Sequence, residues 1–377
     1  MLKLRSVEIK ERSEDKSDIF IGKANLKDFN LLIGDNAQGK TRFFNTIAYI
    51  SSISYNKAHP IRSNFWSKWE FDEIKPSSIN KIRYDVRVIG LRDKNDYQEN
   101  IYKNNKLIFS TRQSILIDEA KKGGKKRIEN FYLPANTPAI VSITEPEFRT
   151  IGLIRSFFQR IIYVSSNKSR EIRIDPNSLI PNKEGTNIGS VLNNWKDKYP
   201  EIFREVVNEL KASFNFINEI YFTDQESKEG FKTKLLTFKE DAVAEPIMQN
   251  SWSDGLYRML FLIMAVKVPF IERENIHTPS LILIDEIENG LDFKSLKFIL
   301  DFYKDYSDEY QFALSSHSPL VCELVHPKHW IVVKRSGAEI RFISPADTEK
   351  DLDRQLDLYK QKHWELYTKH ISSSNTY

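Results

Sequence analysis

Apolar and polar positions alternate along the first third of the chain in a pattern typical of strands. Residues 81–89, KIRYDVRVI, place apolar side chains at nearly every second position, the period of a strand with one buried face. The turn at residues 103–106, KNNK, predicts a hairpin. Residues 1–16 also alternate, which we interpret as an edge strand. Residues 1 to about 112 are therefore predicted to be rich in strands.

Helical spacing follows in the middle of the chain. Three stretches carry apolar residues at intervals of three and four, namely residues 150–163, 187–192 and 200–216. Two short runs, residues 220–222 and 232–238, have the composition of strands separated by a charged turn. The pattern predicts a helical insertion with connecting strands.

One apolar run leads directly into a glycine-containing loop. Phe29–Ile33 is short enough for a buried strand, and the residues after the loop have helical spacing. The loop fits the phosphate-loop pattern G-x-x-x-x-G-K-[ST] in the strand-loop-helix context that confirms it. Its residues are Gly34, Asp35, Asn36, Ala37, Gln38, Gly39, Lys40 and Thr41.

Each residue type in this loop has a physical role. The glycines let successive backbone N–H groups face a phosphate, and the following helix adds partial positive charge at its N-terminus. Lys40 is expected to reach the β and γ oxygens and Thr41 to ligate Mg²⁺. The sequence therefore predicts that ATP and Mg²⁺ bind here.

An acidic pair follows a second apolar run. Leu281–Ile284 predicts a buried parallel strand, and Asp285 and Glu286 follow at its carboxyl end. Ligands bind at this edge of an open α/β sheet. We expect Asp285 to hold Mg²⁺ and Glu286 to orient and deprotonate the attacking water.

Two further segments carry candidate chemistry. His317, in SSHSP, follows an apolar strand and is expected to contact the γ-phosphate. Ser253 precedes Asp254, Gly255 and an apolar helix, so it is predicted to be an N-cap.

The order of phosphate loop, glycine-containing helix start, acidic strand and histidine loop resembles the heads of ABC-type ATPases. SDGxxR, IDEIENGL and SSHSP are most similar to the soluble SMC, RecF and OLD-like group, including anti-phage defence ATPases such as Septu PtuA and PARIS AriA. The implied fold is an α/β P-loop NTPase with a strand-rich first lobe, a mostly parallel core sheet and a helical insertion. The predicted domains are a first lobe (residues 1–175), a helical insert (residues 176–250), a second lobe (residues 251–345) and a C-terminal docking helix (residues 346–377).

The same resemblance implies that two heads enclose ATP between them. Ser253, Asp254 and Gly255 would contact the nucleotide held by the other copy, and Asp292 would lie in the D-loop that couples the two sites. Arg258 would brace this interface or the nucleotide. The Q-loop glutamine stays open among Gln98, Gln113 and Gln159.

Composition narrows the function classes. A net charge of +4 permits nucleic-acid contact without arguing for it, and the basic residues 121–127 are either a DNA-phosphate contact or a solvated turn. A single cysteine excludes an internal disulfide framework and any CxxC zinc site. The longest apolar stretch, residues 259–266, is too short for a bilayer, and we expect a cytoplasmic protein.

These observations lead to a functional expectation. The chain is predicted to be an ATPase that associates head to head on ATP and controls a separate effector, a nuclease or toxin, in bacterial anti-phage defence. About 30 residues follow Pro345, too few for a nuclease domain, so the chain is not expected to be its own nuclease. The alternatives are a RecF-like ATPase that grips DNA and a slowly hydrolysing scaffold.

Overall fold

The computed structural model describes residues 1–12, 18–53, 64–91, 94–113, 115–116, 137–143, 148–166, 177–226, 232–240, 243, 245–272, 275–277 and 279–344. The basic segment 121–127 and the predicted docking helix in residues 346–377 lie outside them. The chain divides into a first unit, residues 1–161 with those from 325 onward, and a second unit, residues 162–324. None of the described helices is both long enough and apolar enough to span a bilayer.

Strands and helices account for most of the described residues. The strands are β1 (Leu2–Arg12), β2 (Asp18–Asn25), β3 (Phe29–Ile33), β4 (Asn64–Lys75), β5 (Ser78–Leu91), β6 (Lys94–Lys103), β7 (Lys106–Ser110), β8 (Ile115–Leu116), β9 (Ile161–Val164), β10 (Ile217–Glu226), β11 (Lys232–Glu240), β12 (Ile247–Met248), β13 (Phe270–Glu272), β14 (Asn275–His277), β15 (Leu281–Ile284), β16 (Phe312–Ser316), β17 (Trp330–Ser336) and β18 (Glu339–Ile343). The helices are α1 (Lys40–Ile53), α2 (Ala139–Ser142), α3 (Arg149–Gln159), α4 (Ile188–Lys198), α5 (Pro200–Ser213), α6 (Asp254–Lys267), α7 (Phe293–Asp305) and α8 (Pro319–Leu324).

The first unit is built on a sheet in the order β8-β7-β6-β5-β4-β1-β2-β18-β17-β3. The pairs β2–β18 and β3–β17 are parallel, and the other pairs are antiparallel. The predicted hairpin turn is confirmed, because Asn104 and Asn105 have φ angles of 47° and 62°, as a type I′ turn requires. The prediction that the N-terminal strand is an edge strand was wrong. β1 pairs with both β2 and β4, since alternation reports the two faces of a strand rather than its place in the sheet.

Aromatic side chains hold α3 against this sheet. Phe158 meets Trp69 edge to face at 5.0 Å between ring centroids, and Phe157 meets Phe71 at 5.1 Å. The Ser51 hydroxyl of α1 donates to the Phe158 carbonyl at 2.6 Å. The predicted helix 150–163 ends earlier, at Gln159, and its last apolar residues form β9. A short run of β-branched residues suits either structure, and periodicity alone does not separate them.

Among its described residues the second unit contains two short sheets, β10-β11-β12 and β13-β14, a group of three central strands and five α-helices. Its central strands lie in the order β16-β15-β9, and β15 and β16 are parallel. Helix α6 is apolar on nearly all sides, and the Tyr303 hydroxyl of α7 donates to the carbonyl of Leu262 within it at 3.0 Å. Because β15 and β16 run in the same direction, the residues that follow them come together at one sheet edge.

Candidate nucleotide-binding and hydrolysis site

The phosphate loop connects β3 to α1 in the first unit. Three of its residues have positive φ angles, Gly34 at 155°, Ala37 at 63° and Gly39 at 103°. A Cβ on Gly34 would lie 2.6 Å from the carbonyl oxygen of Val333 on β17, so the backbone leaves no room for a side chain there. Turns of this kind present successive N–H groups to an anion.

Lys40 begins α1 and is buried against the loop that precedes it. Its Nζ donates to the carbonyl oxygen of Gly34 and, at 2.9 Å, to that of Asp35. The loop therefore holds a cation by its own backbone carbonyls. A phosphate group can take over these donors at little cost, because an ionic hydrogen bond is stronger than one to a neutral carbonyl.

The remaining loop residues are placed around this lysine. Gln38 Oε1 accepts the backbone N–H of Arg335 at 2.7 Å, which ties the loop to β17. Asp35, Asn36 and Thr41 are exposed, and Thr41 is the second residue of α1. A hydroxyl at this position, directly after the lysine, is where a metal ligand is expected.

Asp285 lies at the end of β15 in the second unit, and its side chain is fully buried. The Ser315 hydroxyl donates to Oδ1 at 2.5 Å, and the Ser166 hydroxyl donates to Oδ2 at 3.3 Å. The sequence predictions did not include either serine. A signal existed in the sequence, because both apolar stretches end in a Ser-Ser pair. The pair in YVSS directly follows β9, and the pair in ALSS forms the end of β16.

Glu286 is held in an unusual backbone conformation beside this carboxylate. Its φ angle is 48°, a region that costs a residue other than glycine on the order of 1 kcal/mol or more. Its N–H donates to Ser315 Oγ at 2.9 Å, and Asn289 Nδ2 donates to its carboxylate at 3.0 Å. Backbone and side chain are therefore both fixed.

Arg258, on α6, supports the same segment from behind. Its guanidinium donates to the carbonyl oxygens of Ser165 at 2.8 Å and Asp285 at 2.9 Å. Burial lowers the pKa of Arg258, and the nearby carboxylates Asp285 and Glu286 act in the opposite direction. The arginine thus braces the backbone of its own chain at the ends of β9 and β15.

The predicted N-cap at Ser253 is confirmed. Its hydroxyl accepts the Leu256 N–H at 3.2 Å, and both Ser253 and Asp254 are exposed at the start of α6. A Cβ on Gly255 would lie 2.7 Å from the carbonyl oxygen of Gly290. Asp292 caps α7, accepting the Ser295 N–H at 2.8 Å, so the structure gives this carboxylate a local role. Its contact with nucleotide stays a prediction.

His317 follows β16, with 43% of its side chain exposed. Glu288 Oε1 accepts its backbone N–H at 3.0 Å and lies 3.2 Å from its Nδ1. Of the three Q-loop candidates, Gln98 lies on β6, Gln113 follows β7 and Gln159 is the last residue of α3. In the part of the chain that the structure describes, the residue that reaches Asp285 from β9 is Ser166.

Each of the two groups of residues, taken by itself, fits one part of a magnesium nucleotide. Lys40 and the positive-φ backbone of its loop suit a polyphosphate. The buried carboxylate of Asp285, oriented by two hydroxyl groups, is the oxygen donor that Mg²⁺ prefers, and such a site completes itself with water and phosphate oxygens.

The fold is similar to that of an Smc head, and the phosphate loop between β3 and α1 is the motif of a P-loop NTPase. An Smc head bound to the C-winged helix domain of ScpA has 14% sequence identity and a TM-score of 0.54, with 93% of this chain and 99% of that chain covered. An Smc head with an extended coiled coil bound to the C-terminal domain of ScpA, from Pyrococcus furiosus, has 12% sequence identity and a TM-score of 0.45. The match covers 96% of this chain and 99% of that chain. A dimeric bacterial ABC transporter cassette has 13% sequence identity and a TM-score of 0.38, and the match covers 92% of this chain and 100% of that chain.

The chain belongs to the family described as "AAA domain, putative AbiEii toxin, Type IV TA system", whose sequence profile matches residues 29–323. Among curated proteins, none matches this sequence significantly.

Proposed function

We propose that this protein hydrolyses ATP in the presence of Mg²⁺ and that two copies associate on ATP to control a separate effector in the bacterial cytoplasm. The observation that carries the hydrolysis is the geometry of Glu286. Its backbone is held at positive φ by Ser315, and its carboxylate is held by Asn289. A fixed carboxylate beside a buried aspartate is suited to orienting a water molecule and taking its proton.

The other residues take roles that follow from their positions. Thr41 and Asp285 would hold Mg²⁺, which would supply positive charge to neutralise the phosphate groups. Lys40 stabilises charge that develops on the γ-phosphate, and its release from the Gly34 and Asp35 carbonyls accompanies nucleotide binding. Water attacks in line with the leaving oxygen, and Glu286 accepts its proton.

Association of two copies rests on the start of α6. Ser253 and Asp254 are exposed at the start of the helix, and a helix N-terminus attracts phosphate. Gly255 keeps this turn in backbone contact with the loop that carries Gly290. A nucleotide bound by another copy would thus contact the start of α6, and a shift of α6 would displace the segment that contains Glu286.

The effector assignment is supported by the family. Its description names a putative toxin and a type IV toxin-antitoxin system, and this association with toxins motivates the proposal of a nuclease or toxin as effector. Affinity purification of the tagged chain from its own host, with Mg-ATP present, should retain a nuclease or toxin encoded nearby. Recovery of the chain alone, with full defence activity, would contradict this part of the proposal.

Phosphate release from ATP tests the hydrolysis directly. The wild type should release phosphate only with Mg²⁺, and Glu286→Gln should be slower by about 10²–10⁴-fold while still binding ATP. Lys40→Ala should lose binding as well. Asp301→Asn is the control, because Asp301 is an acid on α7 whose ion pairs within the described residues are with Lys297 and Lys304. Unchanged turnover in Glu286→Gln would overturn the proposed chemistry.

A further inference from the structure

Glu288 is a charged residue of the loop after β15 that the proposed hydrolysis does not use. One carboxylate oxygen, Oε1, accepts the backbone N–H of His317 at 3.0 Å and lies 3.2 Å from Nδ1 of its ring. The side chain of Glu288 is only 15% exposed. Its second oxygen, Oε2, is buried and has no hydrogen-bond partner within the described residues. The carboxylate is therefore directed at His317, with one oxygen shared between the backbone and the ring.

This placement determines which ring nitrogen carries the proton. An ionised carboxylate only accepts hydrogen bonds, so its proximity stabilises a proton on Nδ1 of His317. A neutral imidazole has one N–H, and its other nitrogen is then an acceptor. With the proton on Nδ1, neutral His317 presents a lone pair at Nε2, which repels a phosphate oxygen. Only the imidazolium form donates from both nitrogens.

We propose that Glu288 makes His317 bind the terminal phosphate of a nucleoside triphosphate as an imidazolium ion, so that triphosphate binding takes up a proton from solvent. The inference rests on the proposed function, since it assigns His317 to the γ-phosphate. The proton enters at Nε2, and no covalent bond is formed or broken. When the phosphate leaves, the same proton returns to solvent.

The other titratable groups near this pair along the chain lie on three elements. The loop after β15 contributes carboxylates, α8 contributes another carboxylate and a thiol, and α6 contributes a guanidinium group. The residues of the loop are Asp285, Glu286 and Glu288, those of α8 are Cys322 and Glu323, and that of α6 is Arg258. Burial raises the pKa of Cys322 to about 12, so the thiol stays neutral.

Proton uptake can be measured without turnover. Binding of a non-hydrolysable ATP analogue with Mg²⁺ is followed by calorimetry in buffers of different ionisation enthalpy, from pH 6 to 9. The number of protons taken up by His317 is the difference in uptake between the wild type and His317→Gln, because protons taken up by the analogue itself are common to both. We expect uptake approaching one proton, and an affinity that falls by up to about tenfold per pH unit where the ring is neutral. ADP should show no such uptake.

Glu288→Gln separates this inference from a purely structural role. Glutamine carries no negative charge, so it favours a proton on Nδ1 far less than a carboxylate does, and neutral His317 can then donate to phosphate from Nε2. The variant should bind the analogue with weak pH dependence and no uptake at His317. Glu309→Gln, which replaces an exposed glutamate beyond α7, should behave like the wild type.

The outcomes are distinguishable. Wild-type uptake retained in Glu288→Gln, or wild-type binding without proton uptake by His317, overturns the inference alone. Failure of the wild type to bind any triphosphate overturns the proposed function and this inference with it. If Glu288→Gln does not fold, the comparison of wild type with His317→Gln still decides whether the proton is taken up.

Discussion

A Cβ on Gly255 would lie 2.7 Å from the carbonyl oxygen of Gly290, so the start of α6 touches the loop after β15 backbone to backbone. Arg258, one turn further along α6, donates to the carbonyl of Asp285. Two independent contacts thus join the exposed turn at Ser253 to the acidic segment. Because both contacts connect the same two segments, we expect a shift of one segment to change the position of the other.

Gly255→Ala should uncouple these two segments. The added methyl group is closer to a backbone oxygen than real Cβ atoms come, so the helix start or the loop must shift. We expect phosphate release to fall at least tenfold while fluorescent ATP still binds. Gly152→Ala is the matched control, since its Cβ would meet only the end of Arg155 at 4.0 Å and alanine favours the interior of α3. Equal activity of both variants would show that the Gly255 contact is unimportant.

Arg258→Met should lower the free energy of unfolding. The substitution leaves the carbonyls of Ser165 and Asp285 without their donors, at about 1–3 kcal/mol for each buried group left unsatisfied. Urea unfolding measures the loss. Arg204→Met, on the exposed face of α5 beside Glu201, should change stability by less than about 0.5 kcal/mol. A similarly small change for Arg258→Met would refute the bracing role.

His329 should make stability depend on pH. Its ring packs edge to face on Phe29, and burial lowers its pKa from 6.5 to about 4. Between these values the unfolded chain binds a proton that the folded chain does not, so stability falls as pH decreases from 6.5 to 4. Discounted for the partial exposure of His329, the loss is about 1–2 kcal/mol.

Substitution isolates this contribution. His329→Leu should show a smaller decrease in unfolding free energy over the same pH interval, measured by urea unfolding at each pH against the value at pH 8. Parallel curves for His329→Leu and the wild type would show that the histidine is not responsible.

The sequence predicted the features that depend on local order. The phosphate loop, the N-cap at Ser253 and the strand before Asp285 each lie in one continuous stretch whose residue types carry the signal. The roles of Ser166, Ser315 and Glu288 were not predicted, because each depends on which strands of the sheet are neighbours. β9 and β16 lie on either side of β15, and this order brings serines about 150 residues apart in sequence to one aspartate. No periodicity records such an arrangement.

The central claim is that ATP joins two copies of the chain through the start of α6. The most direct test is the mass in solution of Glu286→Gln, which should retain ATP, with and without Mg-ATP. The account predicts that mass doubles on addition of Mg-ATP and that Ser253→Arg in the same background abolishes the increase while ATP still binds. A mass unaffected by ATP, or an increase that survives Ser253→Arg, would contradict it.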